Sequence, residues 1–448
     1  MKKLESFPYK HVLVLGLAKS GTAAAHLLLD SGVNVRINDK NAVESSEEIQ
    51  RLKQKGADII TGGHPLTVLD DIDLLVKNPG IPYENPVVEE SVKRKIPVVT
   101  EVELAGHLHN GPLIAVTGSN GKTTTTTLIH EIIKADHQPV AVAGNIGKVS
   151  CEVARSTTDE ETMVVELSSF QLLGTENFRP DISVLLNLYE AHLDYHGTLE
   201  NYHEAKVKIM ENQTEADTLV FNADDEKINA YTSRTKAKLV AFSTKHQVEG
   251  AWSDGEWVYF YEEPIMKVKE IVLVGEQNLQ NILATIAAVK VNGVDNKAIH
   301  KVLTTFSGVE HRLQFVTEKN GRSFYNDSKA TNILATSYAL RSFKQPVILL
   351  AGGLDRGTTF ESLAPYLGSV KGMVLFGETA DLLEETGKQA GVEKIVKVNG
   401  MQEAVEKANK ISVQGDVILL SPACASWDQY RTFEERGNMF IDAVHKLN

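Results

Sequence analysis

The stretch "AVTGSNGKTTTTT", Ala115–Thr127, places Gly, Lys and a run of threonines directly after apolar residues. The Walker A pattern has Gly, four residues, then Gly-Lys-Ser/Thr. Here Gly118 stands three residues before Gly121, and Val116 holds the place five before it. A strand, a Gly-containing loop and a helix start are still the parts of an anion site, because free N–H groups and the positive end of the helix dipole face the ligand. Lys122 adds a point charge, and the Thr123 hydroxyl can reach Mg2+. The alternative is a tight turn before a Thr-rich helix. β-Branched threonines are poor helix formers, so their presence asks for a reason in packing or function. Nucleotide binding is the expectation.

Further along, Glu166 closes the apolar run "TMVVE". It could hold Mg2+ as Walker B acids do, or be an exposed acid at a strand end. "NLYEAHLDYHGTLENYHEAKVKI" carries His192, His196 and His203. A zinc site is disfavoured there, since H-E-x-x-H is missing, Gly197 breaks the helix pattern and no Cys lies nearby. Lys206, in a charge-rich helix, reads by default as solvated. An ammonium cannot ligate a cation, so only chemical modification would make it a ligand. Arg312 in "VEHRLQF" is a candidate phosphate fork, and Asp327 and Lys329 in "NDSKATN" end a strand-like run. Cys424 has no His beside it and reads as a packed thiol rather than a nucleophile. "GLAKSG", Gly16–Gly21, resembles G-x-G-x-x-G with Ala18 in place of the middle Gly, and Asp39 stands where a ribose-binding acid would. A structural turn is an equal reading of that loop. "NPGI", Asn78–Ile81, ends another strand and should face the same edge.

These residues need a scaffold. "HVLVLG", "VNVRIND" and "DLLVKNPG" read as strands, with "SGTAAAHLLLDSG" a helix closed by Gly32. This βαβ succession implies a parallel sheet. A second series runs through "LIAVTGS", "TMVVELSS" and "ISVLLNLY". Between Gly250 and Gly275 aromatic and β-branched residues predict a small antiparallel insert, and "EQNLQNILATIAAVKVNG" an amphipathic helix. A third α/β series starts near "SFYNDSKAT", with strands "QPVILLAGG", "GMVLFG" and "GDVILLSPA". The fold class is α/β in three domains, with boundaries near 108 and 308: a Rossmann-like 1–108, a P-loop-type ATPase domain 109–308 with a mostly parallel sheet and the small insert, and a Rossmann-like 309–448.

The chain has 448 residues, too many for one core, with 42% hydrophobic residues and a formal net charge of −13. That balance argues against broad binding to nucleic acid or membrane, so anionic ligands must meet local Lys, Arg, metal or helix N-termini. No apolar run reaches the roughly 18–20 residues of a spanning helix, and "MKKLESFPYK" lacks a secretory h-region. Two cysteines give no disulfide framework, which points to a reducing cytosol.

"TGSNGKTTTT", "AGNIG", "ELSSFQL", "GEQNLQN", "EHRLQ", "NDSKATN" and "LSPACASWDQYRTFEERG" follow one another across nearly the whole chain. In this order they resemble the Mur ligases of peptidoglycan synthesis. The pair "NDSKATN" and "SPACAS" resembles the branch that adds D-glutamate. The family loop is a shortened relative of Walker A, T-G-x-x-G-K-T, which here gives Gly118, Ser119, Asn120, Gly121, Lys122, Thr123 and Thr124.

The resemblance implies a cytoplasmic, monomeric ligase that joins UDP-N-acetylmuramoyl-L-alanine to D-glutamate with ATP and two Mg2+ sites. It implies that the first domain binds the UDP part of the substrate, the middle one ATP and metal, and the last the amino acid. By position, Lys122 and Thr123 would hold phosphate and Mg2+, Glu166 one Mg2+ and His192 the other. Lys206 would carry a carbamate. Asn278, Arg312 and Asp327 would meet ATP, and Lys329 the phosphate side. Lys19, Ser20, Asp39 and Gly80 would bind UDP, and Asn145 the muramoyl part. Thr331, Arg356, Ser426 and Phe433 would surround D-glutamate, with Arg356 standing where relatives often have Lys. A nicotinamide oxidoreductase is the rival that Ala18 disfavours. A non-catalytic P-loop switch would leave Glu166, His192, Lys206 and the third segment unexplained, and "NDSKATN" disfavours a sibling ligase.

Overall fold

A computed structural model describes residues 1–447. The apolar strands Leu113–Thr117, Thr162–Glu166, Val347–Gly352 and Val417–Leu420 are buried along their whole length, as expected where helices cover both faces of a parallel sheet. The first sheet contains β1 (His11–Leu15), β2 (Asn34–Asp39), β3 (Asp58–Thr61), β4 (Leu74–Lys77) and β5 (Val98–Val99). Its order is β3-β2-β1-β4-β5, with every pairing parallel. The chain reverses its direction of travel across the sheet between β1 and β4, where open α/β sheets bind ligands.

The second sheet contains β6 (Leu113–Thr117), β7 (Val140–Gly144), β8 (Thr162–Glu166), β9 (Ile182–Leu185), β10 (Thr218–Asn222), β11 (Lys238–Ser243), β12 (Gly250–Ser253), β13 (Trp257–Phe260) and β14 (Glu263–Lys267). Its order is β14-β13-β12-β11-β10-β9-β6-β8-β7. Pairing is parallel from β7 to β12, and β13 and β14 are antiparallel. The expected antiparallel insert therefore exists, as the edge of this sheet. Glu166 is in register with Val116 on β6 and Gly144 on β7. That register sets its carboxylate beside the loop after β6.

The third sheet contains β15 (Gln314–Lys319), β16 (Arg322–Asn326), β17 (Val347–Gly352), β18 (Val370–Phe376), β19 (Lys394–Lys397) and β20 (Val417–Leu420), in the order β15-β16-β20-β17-β18-β19. All its pairings are parallel except that of β15 with β16.

Packing groups the chain into two compact units. One is Met1–Val268 with Gln280–Val302, and holds the first two sheets. A continuous apolar cluster links them, from Val12, Val14 and Leu27 through Leu104 and Ala105 to Ala115 and Val165. The other is Lys269–Leu279 with the chain from Leu303. Its sheet carries one apolar cluster around Leu349 and Leu375 and another around Leu350 and Phe440.

The helix Glu276–Val291 departs from expectation. Asn281–Val289 are all buried, so it is not amphipathic over that stretch. Its Ala and Thr residues let neighbours approach on every side.

Candidate active site

The loop Gly118–Gly121 joins β6 to the helix Lys122–Ala135. Gly121 has φ 83°, and a Cβ there would lie 2.1 Å from Asn281 Oδ1, so no other residue fits without displacement. Asn187 shapes the loop: its Oδ1 accepts from the Asn120 N–H at 2.8 Å, and its Nδ2 donates to the Asn120 carbonyl at 3.1 Å. The Tyr202 hydroxyl donates to Ser119 Oγ at 3.0 Å. Among the described residues no side chain caps the helix N-terminus and no acid lies in its first turn. The N–H groups and the dipole are thus left for an anion. Lys122 Nζ donates to the carbonyls of Gly118 at 2.9 Å and Ser119 at 3.1 Å. Thr123 and Thr124 follow in the same turn, half-buried.

Glu166 is 1% exposed, which removes the reading of an exposed strand-end acid. Asn145 Nδ2 donates to its Oε1 at 2.8 Å, while its buried Oε2 has no hydrogen-bond partner among the described residues. An orphaned carboxylate oxygen is costly and fits a cation.

Lys206 is likewise 1% exposed, so its default reading as a solvated side chain is corrected. Its helix, Leu199–Val207, packs the lysine inward over the Tyr202 ring, 4.8 Å from the centroid. Its Nζ donates to the Gly118 carbonyl at 2.9 Å, the same oxygen that Lys122 reaches. Burial, and then the nearby Lys122 charge, push Lys206 well below the usual lysine range, and Glu166 opposes them in part.

His192 is exposed, with φ 53° at the start of the short helix Leu193–His196. Partial burial and the Lys206 charge lower its pKa. His196 is occupied elsewhere: Ser169 Oγ and its Nε2 are 3.0 Å apart, and burial pushes it down to about 4. Among the described residues no three His, Cys, Asp or Glu side chains converge on one point. Thr123, Glu166, His192 and Lys206 therefore suit a metal only if Lys206 becomes an anion. Hydroxyl and carboxylate oxygens are the donors that a hard cation such as Mg2+ takes.

At the first sheet, Lys19 begins the helix Lys19–Asp30 and is exposed, with Ser20 next to it. Asp39 Oδ2 accepts from the Leu17 N–H at 2.7 Å, and its Oδ1 accepts from Asn41 and Ala42 at 2.8 Å. Asp39 thus holds two loops together. Asn78 Nδ2 donates to Ser20 Oγ at 2.9 Å, and Asn78 Oδ1 accepts from the exposed Gly80 N–H at 3.2 Å. The structure therefore gathers Ser20, Asp39 and Gly80 at the carboxyl ends of β1, β2 and β4.

In the second unit, Thr331, Arg356 and Cys424 line a cavity of about 410 Å³. Arg356 is exposed and lies 4.8 Å over the Trp427 ring. Ser426 is buried, and its Oγ has no hydrogen-bond partner among the described residues. Lys329 Nζ lies 4.9 Å over the Phe433 ring. Asp327 accepts from Ser421 Oγ at 2.9 Å and from the Leu313 N–H at 3.0 Å. Burial raises its carboxyl to about 7, against those two bonds and Arg312. Asn278 Nδ2 donates to the Val274 carbonyl at 2.8 Å, and Arg312 is exposed. Cys424 is a free, buried thiol pushed up to about 11 by burial, as a packed rather than nucleophilic residue should be.

Sequence reasoning missed Arg436. It is fully buried, no carboxylate pairs with it among the described residues, and its guanidinium donates to the carbonyls of Ser328 at 2.8 Å and Cys424 at 3.0 Å. It ties the "NDSKATN" and "SPACAS" loops together. Asn187 was missed too. Only its place at a strand end in "VLLNLY" could have marked it.

Three family models match the chain: "Mur ligase MurD-like, N-terminal domain" over residues 10–100, "Mur ligase middle domain" over 116–289, and "Mur ligase, glutamate ligase domain" over 311–424. A UDP-N-acetylmuramoylalanine–D-glutamate ligase of Oceanobacillus iheyensis is 55% identical over 448 residues, all of both chains. The enzyme of the same name from Bacillus subtilis is 54% identical over 98% of each chain. Among solved structures, the UDP-N-acetylmuramate–alanine ligase of Thermotoga maritima has the same fold, with a TM-score of 0.57 at 20% identity over 98% of this chain and 99% of that one.

Proposed function

This chain belongs to the Mur ligase family, and we propose that it joins D-glutamate to UDP-N-acetylmuramoyl-L-alanine, with ATP going to ADP and phosphate, in peptidoglycan precursor synthesis. The observation that carries this reading is the 55% identity, over the full length of both chains, to an enzyme of that name.

A carboxylate is a poor acyl donor, and phosphorylation turns one of its oxygens into a leaving group. The L-alanyl carboxylate attacks the γ-phosphorus of ATP, the bond to ADP breaks and an acyl phosphate forms. The D-glutamate amine then attacks the acyl carbon, and the tetrahedral intermediate expels phosphate. In this reading Gly118–Thr124 cradle the ATP phosphates through backbone N–H groups. Lys122 leaves the Gly118 and Ser119 carbonyls to meet the transferring phosphate, where two anions must be brought together.

Thr123 and Glu166 would hold one Mg2+, and His192 and a carbamylated Lys206 a second. Bound there, Mg2+ supplies positive charge to offset the repulsion between carboxylate and phosphate. The unpartnered Glu166 oxygen and the crowded Gly118 carbonyl support this assignment. A lysine pressed towards its neutral form is the nucleophile that CO2 needs: the amine adds to the carbon, a proton leaves, and the cation becomes an anion.

Lys19, Ser20, Asp39 and Gly80 would bind the UDP part in domain 1–108, and Asn145 the muramoyl part. Domain 109–308 would bind ATP; by position Asn278, and Arg312 and Asp327 of 309–448, would meet ATP, and Lys329 its phosphate side. Thr331, Arg356, Ser426 and Phe433 of that last domain would surround D-glutamate. The buried, unpartnered Ser426 hydroxyl supports that assignment. The enzyme is expected to act as a monomer in the cytoplasm. No helix of the described residues is long and apolar enough to cross a membrane.

Phosphate release from ATP and UDP-N-acetylmuramoyl-L-alanine with a panel of amino acids tests the reading. D-Glutamate should support it. Lysine and meso-diaminopimelate should not, because each brings an extra ammonium towards Arg356. Equal release with either would defeat the assignment.

A further inference from the structure

Lys77 is the last residue of β4, immediately before the Asn78–Ile81 turn, and is 1% exposed. Among the described residues no carboxylate pairs with it. Its three ammonium donors are satisfied instead by the Pro79 carbonyl at 3.2 Å, the Ile81 carbonyl at 2.9 Å and the Tyr195 hydroxyl oxygen at 3.1 Å. The Tyr195 hydroxyl can donate to the same two carbonyls, at 3.1 and 3.0 Å. The ammonium lies 4.9 Å over the Tyr83 ring and 5.8 Å over the Tyr195 ring. A methionine or leucine would fill this space without desolvating a charge. A buried cation held only by carbonyls and phenols is an expensive choice whose return is a defined geometry. Burial lowers its pKa to about 8, a measure of that strain.

The groups it joins come from two places. Pro79 and Ile81 belong to the turn whose Asn78 reaches Ser20. Tyr195 belongs to the helix Leu193–His196, which begins just after His192. The Phe170 ring stands edge-on to Tyr195 at 4.5 Å and to His192 at 5.0 Å between centroids. The inner carbonyls of the turn are thus fixed, while Gly80 stays exposed on its outer side.

We propose that Lys77 and Tyr195 are a positioning pair that clasps the Asn78–Ile81 turn to the His192-bearing segment, and so presets the turn for the nucleotide-sugar substrate. This rests on the reading that the turn binds the UDP part. Neither residue touches the reacting atoms.

The test uses the full-length enzyme as wild type, Lys77→Met, Tyr195→Phe and the double variant. Phosphate release is measured against each substrate in turn, with thermal midpoints recorded alongside. Tyr195→Phe keeps the ring and its Phe170 contact, so it should fold even where Lys77→Met does not. Each single change should raise KM for UDP-N-acetylmuramoyl-L-alanine about tenfold, the scale of one lost charge-assisted hydrogen bond, with a smaller fall in kcat and an unchanged KM for D-glutamate. The double variant should be no worse than the poorer single one, because the two groups act as a unit. An unchanged KM for the nucleotide substrate in folded Tyr195→Phe overturns the proposal, as does a loss shared equally by all substrates or multiplied in the double variant. Failure of the wild type itself to turn over this substrate pair would instead overturn the functional reading.

Discussion

Replacing Lys206 by alanine should silence the enzyme, and a small carboxylic acid should partly restore it. The Lys206 side chain is 1% exposed, and its Nζ shares the Gly118 carbonyl with Lys122, each at 2.9 Å. Two unit charges held on one oxygen in this way lie at most about 6 Å apart and repel by roughly 3 kcal/mol or more at an effective dielectric of about 20. Lys206 is the buried member, so burial and the Lys122 charge push its amine towards the neutral form. Carbamylation would reverse the sign at this point, and repulsion from Lys122 would become attraction of similar size. Loss of that anion should lower turnover by about 10²–10³, comparable with loss of a positioned electrostatic group. Phosphate release should be followed for wild type, Lys206→Ala and Lys206→Arg, each with and without acetate. Acetate should raise Lys206→Ala by placing a carboxylate in the vacated space. It should not help Lys206→Arg, whose cation still fills the site. Full activity of Lys206→Ala with no added acid would refute the reasoning.

Other consequences can be measured on the same preparations. Lys122→Ala should lower turnover by about 10²–10³, or about 3–4 kcal/mol, at an unchanged thermal midpoint; near-normal turnover would remove the loop from the mechanism. Ser426→Ala should raise KM for D-glutamate about tenfold without loss of stability, because it deletes a buried hydroxyl that has no partner in the free protein; an unchanged KM would take Ser426 out of the substrate site. Asp327 titrates at about 7 in the folded protein, above its unfolded value, so the folded state binds the extra proton. Its contribution to stability is full below about pH 4 and is lost as pH rises through about 7. The denaturation midpoint of Asp327→Asn should therefore gain on wild type as pH is raised across that range, and a constant difference would contradict it.

How much could be read in advance depended on where each residue finds its partners. β1, β6, β8, β17 and β20 were legible because parallel strands covered on both faces are continuous apolar runs. β15 and β19 were not, because they are edge strands with exposed charged residues and the patterns "QFVTEK" and "KIVK". The Glu276–Val291 helix misled because its small residues are buried against neighbours far away in sequence. In the site, the Gly-Lys-Thr loop and Glu166 follow from local pattern, strand then loop then helix. The burial of Lys206 does not, since a charge-rich helix looks solvated until the fold turns one face inward. Lys77 and Arg436 left no pattern, and Asn187 only its place at a strand end, because their partners are mainly backbone carbonyls and N–H groups that only the folded chain brings close.

The central claim is that the substrate carboxylate is activated by phosphoryl transfer before the amide bond forms. Label transfer tests it most directly. UDP-N-acetylmuramoyl-L-alanine carrying oxygen-18 in its free carboxylate is turned over with ATP and D-glutamate, and the released phosphate is analysed by mass. The account predicts one labelled oxygen in each phosphate, because the carboxylate oxygen that attacked phosphorus leaves with it. Unlabelled phosphate formed alongside the amide product would contradict it.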